Sequence, residues 1–156
     1  LAQEVFDHVD HHRQALHPGG YPVGLLPDAA RLLRELAAAG ITCAVISNDT
    51  TEGIEDFLHQ HQLNDCISGL WSADHHPAKP DPGAVQGLCS QLDLRVENCA
   101  LIGDADTDLL MARQAGIGLT IGYLAGWHRQ PMLTAHEHLI SHWSELTATT
   151  DAMSKA

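Results

Sequence analysis

Cys99-Ala100-Leu101-Ile102-Gly103-Asp104-Ala105-Asp106-Thr107-Asp108 is the stretch that decides the fold. Its apolar opening lacks the polar alternation of a half-exposed strand and reads as a parallel strand buried on both faces. Gly103 ends the run, three aspartates follow at alternate positions, and Asp106 to Ala115 reads as a helix closed by Gly116. A buried strand running into an acidic turn and then a helix is half of a βαβ unit. In open sheets of such units, ligands gather at the carboxyl ends of the strands.

The same grammar recurs outward. Ile41 to Ser47 is a second buried-strand run, ending in Ser47-Asn48-Asp49-Thr50 and followed by a predicted helix from Thr51 to Gln62. Cys66 to Trp71 is a short strand candidate, Pro82 opens a helix near Ala84–Leu92, and Gly118 to Gly122 is a further strand. Before Ile41, a helix follows Pro27 and stops at Gly40. Residues 1–17 read as a helix with Leu1, Val5, Val9 and Leu16 near one stripe, broken by Pro18-Gly19-Gly20-Tyr21-Pro22. The tail reads as short helical pieces and a polar, frayed end from Ala148. Strands alternating with helices predict an α/β fold, a Rossmann-like open parallel sheet with helices on both faces.

Composition narrows the class. The 156 residues are 44% hydrophobic and 18% charged, as in globular chains, and no apolar run approaches the ~20 residues that span a bilayer. A formal net charge of −12 argues against nucleic acid or an anionic membrane as partner. A phosphate-bearing substrate would need local positive charge against that field, which points to a metal ion and the few cations present. Cys43, Cys66, Cys89 and Cys99 form no C-x-x-C pair and read as buried reduced thiols; with no signal segment visible, a cytoplasmic location is expected. His11-His12, His75-His76 and the pair His138 and His142 match no metal-ligand spacing and read as solvated.

Three segments together carry a resemblance: the strand ending in Ser47-Asn48, then Lys79-Pro80-Asp81-Pro82, then Leu101-Ile102-Gly103-Asp104 with Asp108 four residues on. In this order they resemble the second, third and fourth motifs of the haloacid dehalogenase superfamily, over about residues 20–125. Ala112-Arg113-Gln114-Ala115-Gly116 is similar to the family's usual helix ending. The kind resembled is the capped, phosphoglycolate phosphatase-like one.

The resemblance implies roles that the residue types can fill. Ser47 and Asn48 would hold phosphoryl oxygens, although Ser and Asn also end strands for local reasons. Lys79, one of two lysines, would neutralise the phosphate and adjoining carboxylates; otherwise it is a solvated loop lysine. Asp104 would bind Mg2+ directly, with Asp108 behind it or acting through water and pairing with Lys79. The other reading of these acids is helix N-terminal capping, and Asp106 is expected to be exposed or to cap. Tyr123, Gly126, Trp127 and His128 could line the mouth of the site or simply pack.

One family motif has no counterpart. The first, a strand ending in Asp-x-Asp that supplies the nucleophile, is matched only by the Asp-x-Asp patterns inside the fourth motif, at Asp104-Ala105-Asp106 and Asp106-Thr107-Asp108. Residues 1–20 then read as a remnant of a helical cap and its linker, 21–147 as a partial core without its central nucleophile strand, and 148–156 as a frayed tail. Losing that strand leaves two expectations open: the strands ending at Ser47 and Asp104 pair directly, or the chain is marginally stable.

The implied function is a magnesium-dependent phosphatase acting on a small phosphorylated metabolite. This chain would carry only the phosphate- and metal-binding part and be inactive alone, with the missing N-terminal segment as a possible partner. The alternative is a complete but catalytically dead binding or interaction module.

Overall fold

The computed structural model describes residues 24–125 and 130–148. The expected cap-remnant helix, the positions Gly126, Trp127 and His128, and the tail beyond Ala148 lie outside them.

Helix α1 (Ala29–Ala38) turns Ala29 and Leu32 inward and stops at Gly40, whose φ of 74° an L side chain rarely adopts. There the Ile41 N–H donates to the Leu36 carbonyl at 2.9 Å, turning the chain into strand β1 (Ala44–Ile46). Helix α2 (Thr51–Gln60) starts where the Thr50 hydroxyl accepts the Gly53 N–H at 3.1 Å, and it buries Ile54 and Leu58 one turn apart. A single 3-10 turn, Asn64–Cys66, leads into strand β2 (Gly69–Trp71). Helix α3 (Pro82–Gln91) has proline at its start and is capped by Asp81, whose Oδ1 accepts the Gly83 N–H at 2.7 Å. Strand β3 (Ala100–Gly103) feeds helix α4 (Asp106–Ala115), which ends on Gly116 at φ 93°. Strand β4 (Leu119–Tyr123) follows.

The strands are shorter than the apolar runs that predict them. The Ile41 to Ser47 run yields three strand residues, with flanking bonds from the Ser68 N–H to the Cys43 carbonyl and from the Ser47 N–H to the Trp71 carbonyl. The tail is corrected: His138–Ile140 is strand β5, paired in parallel with β4, before one 3-10 turn at Trp143–Glu145. Only Leu139 and Ile140 of this strand are apolar and polar residues flank them, so no buried-strand run marks it.

All pairings are parallel, in two separate sheets: β1 with β2, and β3-β4-β5. Direct pairing of β1 with β3, one of the two open expectations, does not occur. Helix α3 bridges the halves instead. Gly87 admits the ring of Trp71 from β2, while Val85 and Cys89 pack with Met111 of α4 and with Leu101 of β3. That bridge fixes a separation the two short strands cannot close. A second cluster, Ile54, Leu58, Leu63 and Cys66, packs under α1; a third, Ile121, Tyr123 and Ile140, carries Trp143 stacked on Tyr123 at 4.6 Å.

Candidate active-site cleft

Between the separated sheets lies a cleft of about 180 Å³, walled by Ala44 and Ile46 of β1 and by Ala100, Leu101 and Ile102 of β3. Val85, Leu88 and Cys89 of α3 also line it. Among its lining residues, Lys79 and Asp108 are the charged ones, and they meet: Nζ to Oδ2 is 2.8 Å, with the side chains only 13% and 17% exposed.

Each partner is placed by its local structure. Lys79 lies in the loop between β2 and α3, where the Trp71 indole N–H donates to the Pro77 carbonyl at 2.8 Å. The Asp81 N–H closes the other side of the loop onto the Ala78 carbonyl at 3.1 Å. Asp108 sits in the first turn of α4, where the helix's exposed N–H groups favour an anion. Gly103 lets it come close to the strand, since a Cβ there would stand 3.3 Å from that of Asp108. With most water excluded, this charge-assisted bond fixes the ammonium at the cleft wall and leaves two of its protons for another acceptor.

The other predicted site residues follow strand ends. Asp104 comes directly after β3 and is itself engaged in an interaction. Ser47 directly follows β1 but does not line the cleft. It faces a neighbouring hollow with Asp49 and Gly53, and its Oγ accepts the Asp49 N–H at 3.1 Å. The local-turn role left open for Ser47 is therefore occupied, while its own hydroxyl proton stays available. Asn48 is exposed. The structure brings Lys79 and Asp108 into contact and sets Ser47, Asn48 and Asp104 at carboxyl ends of strands.

Two expectations are corrected here. Asp106 is neither exposed nor a cap; it grips the segment before β5. Its Oδ1 accepts the Thr134 and Ala135 N–H groups at 2.7 and 2.9 Å, and its Oδ2 accepts the Thr134 hydroxyl at 2.7 Å. The Thr134 N–H, first among these donors, holds the carboxyl below its usual range. His75 is not a solvated histidine: it packs on Trp71 at 4.8 Å, and its Nδ1 accepts the Ser72 N–H at 3.1 Å. Buried Ser72 in turn bonds the Thr51 hydroxyl at 2.7 Å, tying the end of β2 to the start of α2. Sequence reasoning missed both ties because partners 28 and 21 residues apart leave no local signal.

No group of three or more His, Cys, Asp or Glu among the described residues could hold a metal ion. Magnesium needs fewer: it binds through one or two carboxylates and takes its other oxygens from water and phosphate. Asp104, directly after β3, would supply such a ligand, while Asp108 is committed to Lys79. The donor chemistry fits a hard cation completed by other oxygens.

Residues 2–116 match the family described as haloacid dehalogenase-like hydrolase. The phosphoglycolate phosphatase of Vibrio vulnificus (strain CMCP6) is 33% identical over 129 residues, covering 80% of this chain and 54% of that protein. A predicted phosphoglycolate phosphatase from Haemophilus somnus 129PT shares the fold with a TM-score of 0.71 at 22% identity, over 78% of this chain and 55% of that one. CbbY (mutant D10N) from Rhodobacter sphaeroides, solved in complex with xylulose-(1,5)bisphosphate, also superposes at 0.71, with 23% identity over 85% and 60%. The chain spans about half the length of the curated relatives it matches. Its matched span and the level of identity to a curated relative place this chain in the haloacid dehalogenase-like hydrolase family, among sequences similar to phosphoglycolate phosphatases.

Proposed function

We propose that this chain supplies the phosphate- and magnesium-binding half of a phosphatase site that acts on a small phosphate monoester. The observation that carries the reading is the Lys79–Asp108 pair at 2.8 Å on the wall of a cleft that β1 and β3 also line through Ile46 and Ile102, the residues just before Ser47 and Gly103-Asp104. Lys79 places a fixed ammonium where a dianionic phosphate would approach, against a formal net charge of −12. Asp108 orients that ammonium. Asp104 would hold Mg2+, which when bound would neutralise charge on the phosphoryl oxygens. The Ser47 hydroxyl and Asn48 amide would donate to the remaining oxygens after a modest turn toward the cleft.

The nucleophile is the part this reading does not find in the sequence. A strand lying between β1 and β3 would pair with both facing edges and bring a carboxylate at its end next to Lys79. The resemblance assigns such a strand to the family's first motif, where the first aspartate would attack phosphorus and form an aspartyl phosphate. The cytoplasmic location expected from sequence suits such a metabolite, and the sugar phosphate bound by CbbY and the phosphoglycolate named for the Vibrio relative illustrate the class.

Two measurements test the reading. Titration of the chain with inorganic phosphate, with and without Mg2+, should show magnesium-dependent binding that Lys79→Met abolishes. Turnover of a generic phosphate monoester should be absent for the chain alone and appear when a segment carrying the first motif is supplied. Phosphate binding indifferent to both Mg2+ and Lys79 would overturn the assignment. Magnesium- and Lys79-dependent binding without turnover in the complemented chain would favour the binding-module alternative.

A further inference from the structure

The floor of the cleft holds two thiols that the phosphatase reading does not use. Cys89 lies in the last turn of α3 and Cys99 immediately before β3; their sulfurs are 4.0 Å apart and both line the cleft. The Cys99 thiol donates to the Arg95 carbonyl at 3.3 Å, which leaves the Cys89 S–H to point at the Cys99 sulfur. Cys43, by contrast, donates to its neighbouring Ile41 carbonyl. The sequence places these cysteines ten residues apart with no C-x-x-C pattern; only the fold of residues 92–98 brings them face to face.

We propose that Cys89 and Cys99 are a redox pair that closes to a reversible intramolecular disulfide, with a peroxide as oxidant. Cys99 is half-buried and Cys89 buried, so the oxidant meets Cys99 first. The Cys99 sulfur takes one oxygen from hydrogen peroxide as the O–O bond breaks, giving a sulfenic acid and one water. The Cys89 sulfur then displaces that oxygen, forming the S–S bond, and its proton leaves with the oxygen as a second water. Two thiols and one peroxide become one disulfide and two waters. A small-molecule dithiol reverses the step by exchange and is itself oxidised to a disulfide.

The chemistry and the geometry agree on the order of events. Burial, together with the neighbouring Cys99, pushes the Cys89 thiol up to about 11, so Cys89 remains protonated until the second step. The sulfurs must close from 4.0 Å to about 2.05 Å. The Cys89 carbonyl accepts the Leu94 N–H at 2.8 Å, so the backbone there is held and the closing motion falls to the two side chains. In a reducing compartment a disulfide of this kind is a transient modification, compatible with thiols that are reduced at rest. The bridge would tie the helix that follows the Lys79 loop to the strand that precedes Asp104.

The test uses the full reduced chain, treated with hydrogen peroxide, quenched by alkylation and digested with a protease that cuts before aspartate. Such cleavage leaves the four cysteines in four different peptides. The expected result is loss of two of the four free thiols and one cross-link joining the peptides of Cys89 and Cys99, reversed by dithiothreitol. Cys99→Ser should abolish the loss, whereas Cys43→Ser with Cys66→Ser should leave the cross-link intact. Persistence of all four thiols, links between chains, links that engage Cys43 or Cys66, or overoxidation of Cys99 without a cross-link would each overturn the proposal.

Discussion

Strands β3 and β4 are neighbours in one sheet and both come from apolar runs, yet they live in different surroundings. In β4, paired on both edges, Thr120, Ile121, Gly122 and Tyr123 are all buried. In β3, paired only with β4, no residue is buried and Ala100 is exposed; β1 across the cleft repeats that pattern with Ala44 exposed. Composition does not separate them, since Ala-Leu-Ile and Ala-Val-Ile are as apolar as Leu-Thr-Ile. The difference is neighbours. A parallel strand reaches two-sided burial only when strands flank it and helices cover it, and the facing edges of β1 and β3 have no strand between them among the described residues.

The largest test of this contrast sets the α3–α4 core against the cleft wall. Met111→Ala removes a side chain only 1% exposed and should cost about 2–5 kcal/mol in urea unfolding, whereas half-buried Leu101→Ala should cost about 1–2 kcal/mol. Equal losses would show that the cleft is as tightly packed as the core.

Next comes the Lys79–Asp108 pair. Lys79→Ala leaves a mostly buried carboxylate without its cation; because both side chains keep some solvent access, about 1–3 kcal/mol is expected, below the range for fully buried pairs. A double-mutant cycle with Asp108→Asn should leave a coupling of about 1–2 kcal/mol. Coupling near zero would reduce the pair to a surface contact and weaken the case for a built site.

Hydrogen exchange sharpens the same comparison without mutation. Amides of β4 should exchange only on global unfolding, and those of β1 and β3 that face the cleft by cheaper local opening. Uniform protection across the three strands would argue against marginal stability at the gap.

The smallest effect is expected at Asp106, which ties the segment before β5 to the start of α4. Its carboxyl is depressed by the Thr134 and Ala135 donors, so its stabilisation is complete above the unfolded carboxyl value, near pH 4, and fades as pH falls through the lower folded value. Asp106→Asn should lower Tm slightly at pH 7, and the gap from the parent chain should close in strong acid. A Tm difference that persists at pH 2 would mean that the bonds, rather than the charge, carry the effect.

Much of the fold is legible in sequence because its signals are local. Pro27, Gly40, Pro82 and Gly116 punctuate helices by fixing or freeing φ, and each marks a boundary within two residues of the observed one. Strand β5 is the exception: it is no shorter than β1 or β2, but Leu139-Ile140 stand between His136-Glu137-His138 and Ser141-His142, so no apolar run announces it. The candidate site is legible in part for the same reason: Ser47, Lys79, Asp104 and Asp108 stand just after strands, in a connecting loop or in a first helical turn, all places a chain announces. Their mutual geometry is not announced. Nothing near Lys79 says that it will meet Asp108 at 2.8 Å while Ser47 turns into the neighbouring hollow.

The amino-acid order by itself determined the alternation of strands and helices, the family, and which residue types stand at the strand ends, since backbone preference and apolar periodicity act over a few residues. Tertiary structure alone decided that β1 and β3 stay apart, that Asp106 reaches 28 residues on to Thr134, and that Cys89 faces Cys99. The separation of the strands and the facing thiols depend on how α3 packs against both halves, and the Asp106 grip on how the segment before β5 returns to the start of α4; such contacts are set by the shapes of residues distant in the chain.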